Sequence, residues 1–137
     1  MSSRKERDLA ESRLFMPSNT MYVQQDGRDA FIFEKDTEVG IPFTIAVYYD
    51  PDEHGYCAQL VGPNVEDAWK DQHVGHLFRD GVICLGADRM RSRDTLREAF
   101  ARSCLWSEGM AIMIASHLKG EPSEFPFSNN NSPDETQ

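Results

Sequence analysis

One stretch concentrates the reactive residue types: His73-Val74-Gly75-His76-Leu77-Phe78-Arg79-Asp80-Gly81-Val82-Ile83-Cys84-Leu85, with Arg89, Arg91, Arg93 and Arg97 following. Cys84 lies between Ile83 and Leu85, which can pin its backbone to a core while the thiol faces outward. Positive charge beside a thiol stabilises the thiolate, the form that attacks an acyl carbon. The arginines have few acids near them in sequence, Asp88, Asp94 and Glu98. The spacing therefore suits a nucleophilic cysteine. Against it stands the plain alternative that Cys84 is a small buried hydrophobe and the arginines a solvated face. Near a thiol the arginines could also steer an acidic partner.

The elements that must position this stretch are legible on either side of it. Residues 3–15 read as a short amphipathic helix carrying Leu9, Leu14 and Phe15, stopped by Pro17. Residues 20–25 and 29–35 read as strands around Asp26-Gly27, a strong hairpin signal. Residues 43–49, rich in aromatic and β-branched types, form a third strand, and residues 56–61 a fourth beyond the turn at 50–53. From Gly62-Pro63 to about Arg93 no period is sustained, and roughly thirty irregular residues inside a compact domain usually serve function. Residues 95–119 then read as one long helix. Thr95 and Glu98 fit a capping box, and Leu96, Phe100, Cys104, Met110, Met113 and Ile114 recur as a buried face does. Gly109 marks either a bend or a close contact within it. The tail from Ser128 has no apolar residue and is expected to be disordered.

Composition bounds the rest. The 137 residues make one domain, with 39% hydrophobic and 27% charged residues, as in a folded soluble protein. Twenty-three acids against fourteen bases give a net charge of −9, which does not suit a phosphate-neutralising surface and disfavours nucleic-acid binding. No apolar run reaches a membrane span, and the first residues have no signal-peptide character. A cytoplasmic protein is the default expectation. Three cysteines without short repeated spacing argue against a disulfide scaffold. Cys57 and Cys104 fit as packing residues. A zinc site from His73, His76, Cys84 and another cysteine lacks the paired cysteine spacings of structural zinc modules. A small cysteine hydrolase or redox protein built on Cys84 is a further alternative; the hydrolase needs a base and an orienting partner that the sequence does not place.

The string Gly81-Val82-Ile83-Cys84-Leu85, set between a meander and a helix, resembles the active-site segment of the ubiquitin-conjugating enzymes. That family carries His-Pro-Asn and then Gly-x-Ile-Cys-Leu around its catalytic cysteine. The element order is similar over residues 4–120. At the offsets of His-Pro-Asn this chain reads Val74-Gly75-His76, so His76 stands where the family has its Asn. The tryptophan often found shortly after the cysteine is absent there, and Trp106 lies in the long helix instead. This divergence is more similar to bacterial ubiquitin-conjugating-like proteins, whose operons carry an activating enzyme, a ubiquitin-like modifier and often a metallopeptidase. Some of those operons serve in defence against phage.

The resemblance implies an α+β ubiquitin-conjugating fold over residues 1–127: an N-terminal helix, a four-stranded antiparallel meander, an irregular active-site segment and a long C-terminal helix. It implies that Cys84 carries a ubiquitin-like protein as a thioester and passes it to a lysine of a target protein. His76 would stabilise the oxyanion, act as a base toward the amine, or brace the loop. Asp80 or Asp88 would orient the attacking lysine. Arg4, Lys5, Arg7 and Arg13 of the first helix would help recruit the activating enzyme. No metal or organic cofactor is expected, and no nucleic-acid or membrane partner. A non-catalytic adaptor of the same fold, binding a ubiquitin-like protein, is the alternative. The cysteine in its motif argues against that alternative, because catalytically dead relatives usually lack the nucleophile.

Overall fold

A computed structural model describes residues 3–25, 27–86 and 90–127. The expected disorder of the tail from Ser128, the roles of Asp88 and Arg89, and Asp26 of the hairpin signal lie outside the described residues. The chain is α+β: an N-terminal helix, a four-stranded antiparallel sheet and a C-terminal helix.

Helix α1 spans Arg4–Phe15. Ser3 caps it, its Oγ accepting the Glu6 N–H at 3.1 Å while the Glu6 carboxylate accepts the Ser3 N–H at 3.0 Å. Two otherwise orphaned donors are thus satisfied reciprocally. The apolar face expected of this helix is not the face it buries. Leu14 is 85% exposed, and the buried positions are Asp8 and Ser12. Leu9 and Phe15 reach the core only from the flank. Polar residues can take the inner face because each has a partner. The Ser12 hydroxyl donates to the Leu9 carbonyl at 2.8 Å, and the Tyr56 hydroxyl donates to the Asp8 carboxylate at 2.7 Å.

Burial holds the Asp8 carboxyl above the ordinary carboxylate value, against the opposing pull of the Tyr56 hydroxyl, Arg7 and Arg4. A folded-state pKa above the unfolded one contributes stability at low pH that is lost as pH rises through the folded value. Asp8→Asn keeps an oxygen for the Tyr56 hydroxyl and removes the buried charge. Wild type is therefore expected to lose stability relative to this variant as pH rises above the ordinary carboxylate value of about 4, measured by urea unfolding. Parallel pH profiles for the two chains would contradict this.

Strands β1 (Met21–Gln25), β2 (Arg28–Lys35), β3 (Phe43–Asp50) and β4 (Gly55–Gly62) pair in chain order. The registers Phe31–Val47–Ala58 and Phe33–Ile45–Leu60 put the alternating large residues of β2 and β3 on one face. Phe33 is 1% exposed and Ile45 and Val47 not at all, as a period of two against one core requires. Gln25 pairs with Arg28, so the first hairpin turns within two residues. Gly27 has a φ of 76°, a conformation favoured by glycine.

Helix α2 (Leu96–Leu118) packs across the inner face of the sheet. Thr95 Oγ1 accepts the Glu98 N–H at 3.1 Å. In place of the reciprocal half of the expected capping box, the Glu98 carboxylate accepts from the Thr95 hydroxyl at 3.5 Å and from Arg93 at 3.4 Å. The buried stripe runs through Leu96, Ala99, Ser103, Trp106, Met110 and Met113, while Phe100, Cys104 and Ile114 pack on its flank. Gly109 marks a close contact: a Cβ there would collide with the ring of Phe125. Among the described residues no helix is long and apolar enough to cross a membrane.

Candidate functional site

Between β4 and α2 the chain forms one short 3-10 turn, Asp67–Trp69, and is otherwise irregular in its described residues. The absence of a period has a structural cause. Residues 77–86 and 90–93 attach to the sheet through brief contacts at β4 rather than as a strand. The Leu60 N–H donates to the Gly81 carbonyl at 2.9 Å, the Ile83 N–H to the Ala58 carbonyl at 2.8 Å, and Tyr56 exchanges two bonds with Arg93 at 2.7 and 2.9 Å. Each contact lasts a residue or two, so no alternation accumulates. Leu77 and Ile83, both fully buried, anchor the segment and bridge one another.

Cys84 sits directly after that anchor. Its N–H donates to the His76 carbonyl at 3.0 Å, which sets the backbones of the two candidate residues side by side. Ile83 and Leu85 are buried as expected, at 0% and 1% exposure. The thiol does not face outward. Cys84 is 4% exposed, and its Sγ lies 3.5 Å from the Gly86 carbonyl oxygen.

His76 has a φ of 52°, a left-handed conformation that Asn, Asp and His enter more readily than other side chains. A tight turn forces it there: the N–H groups of Val74, Gly75 and His76 all converge on the Asp71 carbonyl, at 3.0, 3.0 and 3.1 Å. Trp106 braces the same turn from α2, its Nε1–H donating to the Gly75 carbonyl at 2.9 Å while its ring meets Phe43 edge-on at 5.8 Å. Gly75 admits no side chain, since a Cβ would strike the Trp69 backbone and approach Met110 Cε within 3.0 Å. The His76 ring packs on Phe125, with centroids 4.6 Å apart. Burial lowers the imidazole pKa below its ordinary value, against the opposing pull of the Gln72 backbone.

The arginines expected to crowd Cys84 are mostly committed elsewhere. Arg91 pairs with Asp80 at 2.7 Å and Glu53 at 3.1 Å and lies over the Phe78 ring. Arg97 reaches the Phe15 ring at 5.8 Å. The Arg93 guanidinium lies against Gly86, two residues from Cys84 in sequence, and pairs with Glu98 at 3.4 Å. The hydrogen bond from Arg91 holds the Asp80 carboxyl below the usual carboxylate value. A carboxylate so occupied makes a poor base for an incoming amine, and the positioning role expected of Asp80 has no support in its geometry.

Cys57 is 1% exposed and Cys104 half-buried, and burial pushes their thiols up to about 12 and about 11. Both fit packing positions. Among the described residues no group of three His, Cys, Asp or Glu side chains gathers to hold a metal ion. On α1, Arg4 stacks over Tyr49 at 4.2 Å and Lys5 lies near the Tyr22 ring at 5.4 Å, while Arg13 is exposed.

Two contributors escaped the sequence reading. Trp106 could have been found from the three- and four-residue steps Ser103, Trp106, Met110 and Met113, with an indole N–H that needs a buried acceptor. Phe125 carried no periodic signal; only Gly109, a poor helix former inside a helix, hinted that something packs there. No protein-family model, curated protein or solved structure matches the chain.

Proposed function

We propose that this chain is a ubiquitin-conjugating-like acyltransferase of the cytoplasm, with the α+β layout serving as a ubiquitin-conjugating fold. The Cys84 thiolate attacks the thioester that joins an activating enzyme to the C-terminus of a ubiquitin-like protein. The activating enzyme's thiolate leaves, and the acyl group passes to Cys84. A lysine amine of a target protein then attacks, loses a proton, and expels the Cys84 thiolate, leaving an isopeptide bond. Exchange between thiolate and thioester is close to isoenergetic, so the chain has mainly to position the reacting groups. No metal or organic cofactor takes part on this chain, and ATP is spent upstream by the activating enzyme.

The observation that carries this reading is the Cys84 N–H to His76 carbonyl bond of 3.0 Å. It sets the residue at the family's Asn position beside the Cys of the Gly-x-Ile-Cys-Leu string. The left-handed φ of His76 supports it, because that conformation suits Asn as well. A second reading, a non-catalytic adaptor that binds a ubiquitin-like protein, is favoured by the 4% exposure of Cys84.

A charging assay separates the two. The chain is mixed with a cognate activating enzyme, its modifier and ATP, and run on reducing and non-reducing gels beside Cys84→Ser. The expected result is an adduct on wild type that reductant removes, and none or a reductant-stable ester on Cys84→Ser. Modifier binding without any adduct would support the adaptor instead.

A further inference from the structure

We infer that residues 121–127 form a strap that closes over the His76 imidazole through Phe125, and that lifting this strap frees the imidazole for the reaction at Cys84. The second half rests on the acyl-transfer reading above; the strap itself does not.

The strap is held by side chains alone. After the Glu121 N–H donates to the Ser116 carbonyl at 3.0 Å, residues 122–127 make no hydrogen bond or ion pair among the described residues. Phe125 and Phe127 are half-buried, while Pro122, Ser123, Glu124 and Pro126 are exposed. The two rings stack edge-on with centroids 6.0 Å apart, and Phe125 occupies the place of a side chain at Gly109. Glycine is a costly residue inside a helix; at 109 its missing Cβ is what lets the strap seat.

Beneath the strap the His76 Nδ1 is buried and has no hydrogen-bond partner among the described residues. A buried polar atom without a partner favours any state that returns it to water. The closed state is thus favoured by two aromatic rings and opposed by a desolvated nitrogen, the balance expected of a segment that opens locally. Room for the change exists already. A cavity of about 700 Å³ runs beside the ring, between Trp69, Val74 and Met113 and the strap. Its other titratable groups are His73 on the same turn and Glu124 on the strap.

The test is diethyl pyrocarbonate labelling of the full chain, read by peptide mass mapping, on wild type, Phe125→Ala and Gly109→Ala. One variant removes the ring that closes the strap, and the other fills its seat with a helix-favouring residue. The exposed His54, His73 and His117 serve as references within each chain. The reagent attacks neutral imidazole, which burial favours at His76, so slow labelling there reports shielding rather than charge. The expected result is His76 labelling about tenfold slower than the references in wild type, as for a closed state populated about ten to one. Both variants should erase most of that difference. Discharge of the Cys84 thioester to free lysine should then rise by up to about tenfold in the variants.

His76 labelling in both variants as slow as in wild type would overturn the strap. Faster labelling without faster discharge from charged chains would overturn its regulatory role. Faster labelling in chains that never take a thioester would support the strap and overturn the acyl-transfer reading, and the regulatory half with it.

Discussion

Replacing Trp106 by alanine is expected to lower the unfolding free energy by about 3–5 kcal/mol, the usual cost of removing a large aromatic side chain from a core. The residue is 4% exposed and set edge-on against Phe43, so its loss leaves a cavity between α2 and the sheet. It also strips the Gly75 carbonyl of its donor. Trp106→Phe isolates that second part, keeping most of the ring while orphaning the carbonyl at a cost of about 1–3 kcal/mol. Urea unfolding of the three chains measures both steps. The turn carrying His76 hangs from that carbonyl, so the amides of Val74, Gly75 and His76 should lose exchange protection in Trp106→Phe ahead of the strands. Equal stability of Trp106→Phe and wild type, with unchanged protection, would show that the indole does not hold the turn.

The second large effect is expected on the reaction. His76→Ala should leave charging of Cys84 within a few-fold of wild type while slowing transfer to lysine by about 10²-fold, the usual loss when one donor to a developing oxyanion is removed. The split follows from where the residue acts. Its backbone carbonyl holds Cys84 in place and survives the substitution, whereas the imidazole N–H does not. Burial lowers the imidazole pKa, so above neutral pH the ring is uncharged and its donor capacity does not change with pH. The transfer rate of wild type should then show no step attributable to His76 between about pH 7 and about pH 8. His76→Asn, which restores a donor in a residue at ease with the same left-handed backbone, should recover much of the lost rate. An unaffected transfer rate in His76→Ala would leave the residue as a brace of its turn.

The meander was legible because its signals are local. Phe31 and Phe33, then Phe43, Ile45 and Val47, alternate about one face, and Asp26-Gly27 interrupts two strand-like runs. Helix α2 was legible from its three- and four-residue steps and Thr95 cap. What escaped depends on partners remote in sequence. Asp8 and Ser12 look like solvent residues, and Asp8 becomes an inner residue only because Tyr56, 48 positions on, donates to it. The irregular segment offered Cys84 by residue type and His76 only through the resemblance to the ubiquitin-conjugating active-site segment, yet not the orientation of their side chains. The thiol turns toward Gly86 and the ring toward Phe125 through packing that neighbouring residues do not encode. Arg91 illustrates the same limit from charge. Close in sequence to Cys84, it is spent on Asp80 and on Glu53, a residue of the turn before β4.

The most direct measurement of acyl transfer through Cys84 is intact-protein mass spectrometry of the chain after a short incubation with its activating enzyme, modifier and ATP, quenched at acid pH and mapped by peptides. The expected result is a species heavier by one modifier less one water, lost on treatment with a thiol, with the bond on Cys84. A bond on Cys57 or Cys104, or no added mass beside an activating enzyme that is itself charged, would contradict it.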